Sequence, residues 1–127
     1  MAETQQNNRP LSPHLTVYRP QLTSMTSIFT RITGNALIVG ALLAVWWFLA
    51  ASTSPEAFVV ADAVLTSWFG DLVLFLSLWA LWYHTLAGVR HLYWDTGRGL
   101  DVEMAEKLGL GIIGGSVLLT IVTVFLI

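Results

Sequence analysis

Cysteine is absent from the 127 residues. Its absence excludes disulfides, Cys-ligated iron–sulfur clusters and thioether-attached haem within this chain. Charge is scarce as well: charged residues make up 11% of the chain against 55% hydrophobic ones. A formal net charge of -2 with no basic stripe gives no footing for nucleic acid. The hydrophobic residues come in long runs, which excludes an ordinary soluble domain and marks an integral membrane protein. No zinc signature, P-loop or nucleophile elbow occurs. Gly109, Gly111 and Gly114 spell GxGxxG, but they open an apolar helix with no strand before it, so a dinucleotide-binding turn is rejected. The same glycines, with Gly111 and Gly115 in GxxxG spacing, are expected instead to let membrane helices approach closely.

What is present is an arm followed by three apolar spans. Residues 1–26 are polar or mixed, with Arg9, Pro10, Pro13, Arg19 and Pro20 spaced through them. They lack an apolar h-region and a cleavage site, so the arm is expected to be retained. Its prolines predict an irregular strip that either docks a soluble partner or is a solvated tail. The spans are expected at about 27–51, 68–94 and 108–127, each long enough to cross a core of roughly 30 Å. Between the first two a loop is expected, 52–67, with Pro55, Glu56 and Asp62 but no Lys or Arg, and a short charged loop separates the last two. The fold class is therefore all-α: an integral membrane protein with three transmembrane helices and an irregular cytoplasmic N-terminal arm. The positive-inside rule puts the N-terminus and the charged loop in the cytoplasm and the C-terminus on the far side. Trp46, Trp47 and Trp68 then mark the outer interface and Trp94 the inner one, and Asp71 is an interface residue at the outer end of the second span.

The chemistry gathers in His84 to Asp95, HTLAGVRHLYWD. His84, Gly88, His91 and Asp95 fall on one face of a helix at 3.6 residues per turn. The apolar run before them carries His84 into the membrane, where an ionisable group is costly and functional by default. The first span opens with Ser27, Thr30, Arg31, Thr33, Gly34 and Asn35, of which Ser27, Arg31, Gly34 and Ile38 share a face. A cation there costs about 2.5–3.5 kcal/mol at the helix centre and less near the interface, where it can snorkel. On antiparallel spans these polar groups meet in the cytoplasmic half of the bilayer. Three helices alone cannot bury such a face, so an oligomer or a partner membrane subunit is expected.

An imidazole on a rigid helix suits an axial haem ligand, and Gly88, one turn from His84, leaves room for a flat macrocycle. Arg31 or His91 would pair with propionates. With His84 the one deep histidine, the opposite axial ligand would come from another chain. An interhelical histidine with its hydrogen bonds satisfied, or one in a proton path, stays open beside this reading.

The arm RPLSPHLTVYRP, the stretch SMTSIFTRITGNAL and the segment HTLAGVRHLYWD, in this order around three spans, resemble the cytochrome b membrane-anchor subunit of succinate dehydrogenase, respiratory complex II. The resemblance covers nearly the whole chain and is to the bacterial and mitochondrial type. It implies a second small membrane-anchor subunit, an iron–sulfur subunit and a flavoprotein subunit as partners, and quinone as substrate, in the bacterial inner membrane. It implies that His84 is an axial ligand to the iron of haem b, that Ser27 and Arg31 line the quinone pocket, that His91 and Arg31 lie near the propionates, and that Asp95 belongs to a proton route. Many members carry a histidine immediately before the arginine, where this chain has Thr30. The chain would not be catalytic alone. Two other classes remain, a cofactor-free membrane scaffold and a small proton or ion transporter subunit using Arg31, His84 and Asp95. The lack of an inverted repeat counts against transport. Fumarate reduction by a related complex is a closer rival.

Overall fold

The computed structural model describes Pro10, Ser12 and residues 14–127. Arg9 and Pro13, named above in the arm, lie outside the described residues. After a turn at His14–Tyr18, closed by the Tyr18 N–H donating to the His14 carbonyl at 2.8 Å, the chain runs on without regular structure to Gln21. The Tyr18 hydroxyl donates to Ser24 Oγ at 2.7 Å, which ties this segment to the first turn of the helix that follows.

Four helices follow, α1 (Leu22–Thr53), α2 (Pro55–Leu65), α3 (Trp68–Asp95) and α4 (Val102–Leu126), and there are no strands among the described residues. Helices α1, α3 and α4 are long and apolar enough to cross a membrane. Their 32, 28 and 25 residues reach about 48, 42 and 37 Å, more than the roughly 30 Å of hydrocarbon. Each overlies an expected span and runs past its start or end.

Within 52–67, where the sequence reading expects a loop, residues Pro55–Leu65 form helix α2. Ser54 caps α2 by accepting from the Ala57 N–H, Pro55 takes the first helical position where no N–H is needed, and Glu56 sits in the first turn. The side-chain content of 57–65 is mostly Ala and Val on a turn-rich background, and the cap decides. Trp47 Nε1 donates to Asp62 Oδ1 at 3.2 Å, fixing α2 against α1.

The bundle is built on small residues. Helix α3 buries Ala80, Tyr83, Ala87 and Arg90, and α4 buries Ala105, Gly109, Ile112, Ser116 and Thr120, all at steps of three or four. Membrane helices gain little from apolar burial against one another, so contact depends on close backbone approach and on interhelical hydrogen bonds. Two of the four expected glycines permit the approach. A Cβ at Gly109 would meet Thr26 Cγ2 at 3.2 Å and one at Gly115 would meet Leu86 Cδ1 at 3.1 Å, whereas Gly111 and Gly114 face open space. Helix register puts Gly111 on the outer side of α4. Trp79 Nε1 donates to Ser116 Oγ at 3.2 Å and Trp82 Nε1 to Thr123 Oγ1 at 3.0 Å across the same seam. Helix α1 buries only Thr26, Thr33 and Ala50 and shows its large apolar side chains outward.

Candidate functional site

Where α1 crosses α3, the contact is made by threonines. Thr26, Thr30 and Thr33 recur at i, i+4 and i+7, one face of α1, and this face meets Tyr83, His84 and Arg90. Each threonine hydroxyl donates back to its own helix: Thr26 to the Thr23 carbonyl, Thr30 to that of Thr26, and Thr33 to that of Phe29. Threonine can therefore sit inside a membrane helix with its donor satisfied and a lone pair still free for the neighbouring helix.

His84 is half-buried against this face, with Nδ1 3.1 Å from the Thr30 carbonyl oxygen and 3.4 Å from Thr33 Oγ1. A carbonyl can only accept, so Nδ1 carries the proton. The tautomer leaves the lone pair on Nε2, and no partner among the described residues takes it. Gly34 makes the ring position possible, because a Cβ there would lie 3.0 Å from His84 Cε1. One turn on, Gly88 is exposed and has nothing within 4 Å of where its Cβ would be. An open strip thus runs along α3 from His84 past Gly88 to His91 and Asp95, both exposed. His91 also spends its Nδ1 on a backbone carbonyl, that of Ala87 at 2.7 Å, and its ring stands edge-on to Trp94 at 5.3 Å.

Ser27 and Arg31 are neighbours of the threonine face, the first half-buried and the second exposed. Antiparallel packing brackets their depth. Thr26 meets Arg90 and Thr33 meets His84, so both Ser27 and Arg31 lie between those two levels. The structure thus brings Ser27, Arg31, His84 and His91 to one end of the bundle without joining them: among the described residues no hydrogen bond or ion pair links Ser27, Arg31, His84, His91 and Asp95 to one another. Nor do three His, Cys, Asp or Glu side chains gather into a metal-binding group there. A single imidazole with a free Nε2, beside the open space at Gly88, suits a flat iron macrocycle ligated by one residue of this chain rather than a bare metal ion.

Residues 5–123 match the family described as succinate dehydrogenase/fumarate reductase transmembrane subunit. The chain belongs to this family. It is 55% identical to the succinate dehydrogenase cytochrome b556 subunit of Paracoccus denitrificans over 123 residues, which cover 97% of this chain and 95% of the relative. It is 36% identical to the protein of the same name from Rickettsia conorii, over 95% and 97% of the two chains. It is 38% identical to the succinate dehydrogenase cytochrome b560 subunit of Reclinomonas americana, over 91% and 83%. As a member of the transmembrane-subunit family with three spanning-length helices, it is a multi-pass membrane protein.

Three residues of this family member escaped the sequence reading. Arg90, Tyr83 and Thr26 are all buried, at 4%, 1% and 1% exposure. The Tyr83 hydroxyl donates to the Thr26 carbonyl at 3.0 Å and Arg90 Nη1 to Thr26 Oγ1 at 3.1 Å. The guanidinium also lies over the Trp94 ring, 4.7 Å from its centroid. The signal was available: an arginine seven residues after a tyrosine shares its face, and the threonines recur at helical spacing.

Proposed function

We propose that this chain is the cytochrome b membrane anchor of a succinate:quinone oxidoreductase. It supplies His84 as one axial ligand of haem b and part of the quinone-reduction site. The observation that carries this is the Nδ1 contact to the Thr30 carbonyl, which leaves Nε2 as the iron-directed lone pair. A histidine whose other nitrogen donates to a backbone carbonyl is oriented and made more basic, as ligating imidazoles are. Gly88 leaves space for the macrocycle, and Arg31 and His91 are cationic or hydrogen-bonding groups for its propionates. The opposite ligand would come from the second small membrane-anchor subunit. Bound there, haem b would supply reversible one-electron storage.

Quinone reduction to quinol takes two electrons and two protons. The Ser27 hydroxyl donates to a quinone oxygen, and the Arg31 guanidinium stabilises negative charge developing there. Asp95, exposed at the end of α3, accepts protons from the cytoplasm and relays them through water. Succinate oxidation belongs to a flavoprotein subunit, and an iron–sulfur subunit connects it to the quinone site. Both dock on the cytoplasmic side, which the arm 1–26 helps to form, with the C-terminus periplasmic in the bacterial inner membrane.

The test is a dithionite-reduced minus oxidised absorbance spectrum of the gently solubilised complex, wild type beside His84→Ala. Loss or alteration of a b-type spectrum supports the reading. An unchanged spectrum sinks the ligand assignment, and no haem in either protein restores the scaffold and transporter readings.

A further inference from the structure

We infer that Thr26, Tyr83 and Arg90 form a clamp that positions α1 on α3, and that this clamp sets the seat of His84 and of the Ser27–Arg31 strip; the inference rests on the haem and quinone reading above. Thr26 receives two bonds from α3 at once, the Tyr83 phenol on its carbonyl and the Arg90 guanidinium on its hydroxyl. Its methyl group is held by α4, where only Gly109 leaves room for it. Three helices are fixed at one residue.

The clamp is wired to the ligand. The Thr26 carbonyl also accepts from the Thr30 hydroxyl at 2.9 Å, and the Thr30 carbonyl in turn accepts from His84 Nδ1. Tyr83 and His84 are consecutive on α3, as Thr26 and Ser27 are on α1. A rotation or slide of α1 that relaxed the Thr26 contacts would therefore move the acceptor of His84 and the Ser27 hydroxyl together. Membrane helices have no strong apolar preference for one register over another, so a pair of directional bonds can decide it.

Arg90 holds one more feature that packing alone does not require. Its Nε is buried with no hydrogen-bond partner, and no carboxylate pairs with it among the described residues. A buried cation retained without a counter-ion is costly where it lies. What the guanidinium does make are its bond to Thr26 and its contact over the Trp94 ring. Arg90, Tyr83 and Thr26 are positioning residues: each acts through the α1 backbone on the groups that touch haem and quinone.

The experiment uses the assembled complex with Thr26→Val, Thr26→Ser and Tyr83→Phe. Thr26→Val removes the acceptor for Arg90 while keeping shape, Thr26→Ser keeps both oxygens, and Tyr83→Phe removes one bond and leaves the ring. The readouts are the low-spin haem g-values by electron paramagnetic resonance and the quinone KM, beside succinate oxidation with an artificial acceptor. The clamp predicts shifted g-values and a several-fold higher quinone KM in Thr26→Val and in Tyr83→Phe. Thr26→Ser should match wild type, and the artificial-acceptor rate should hold in all three. Wild-type g-values and KM in both Thr26→Val and Tyr83→Phe would overturn the inference, as would equal disturbance by Thr26→Ser and Thr26→Val. His84→Ala separates the two layers, because retention of its haem spectrum would remove the ligand reading itself rather than the clamp.

Discussion

The two seams of α3 use hydrogen bonds to opposite ends. Toward α4, the bonds close on themselves: Trp79 and Trp82 find Ser116 and Thr123, whose hydroxyls donate back to Ile113 and Leu119. Nothing is left over. Toward α1, the same device of back-bonded hydroxyls leaves surplus capacity on His84 Nε2. In a low-dielectric setting an unpaired polar atom is expensive, so a surplus confined to one seam marks where that seam expects something from outside the chain.

Removing the surplus outright should have the largest effect. His84→Ala should abolish or displace the b-type spectrum of the complex while α4 stays packed. Next come Ser27→Ala and Arg31→Ala, each expected to lower quinone reduction on the order of a hundredfold, the scale of losing one preorganised donor. Succinate oxidation with an artificial acceptor should persist, and normal quinone turnover in both variants would show that the strip is misassigned. A gentler probe is Gly34→Ala, whose methyl would press on His84 Cε1 and move the ring by a few tenths of an ångström. It should shift the haem spectrum without erasing it.

The closed seam should respond in stability alone. Gly115→Val would press on Leu86 and cost about 1–3 kcal/mol, seen as faster thermal inactivation in detergent with the spectrum intact. Trp82→Phe deletes one interhelical bond, worth about 0.6 kcal/mol, and should barely change the half-life. If these two altered the spectrum as much as Gly34→Ala, the contrast between the seams would be lost.

Much of the α1–α3 seam was legible because its signals are local. Hydrophobic run length gave the three long helices, and fixed spacing put His84, Gly88, His91 and Asp95 on one strip. What was not legible depended on which helix lies opposite. Thr26 looked like part of the arm until Tyr83 and Arg90 were seen to reach it. The α4 glycines could not be ranked from sequence, since GxxxG names a spacing and not a neighbour: Gly109 and Gly115 meet side chains, and Gly111 meets none. Helix α2, at 11 residues, is too short to show as a spanning run, and Ser54–Pro55 is how it begins.

The acceptor that orients His84 belongs to the main chain. Every one of the twenty amino acids has a carbonyl, so no codon change at position 30 can delete it. A substitution of Thr30 would remove the hydroxyl bond to the Thr26 carbonyl and still leave the imidazole on α3 the oxygen it is aimed at.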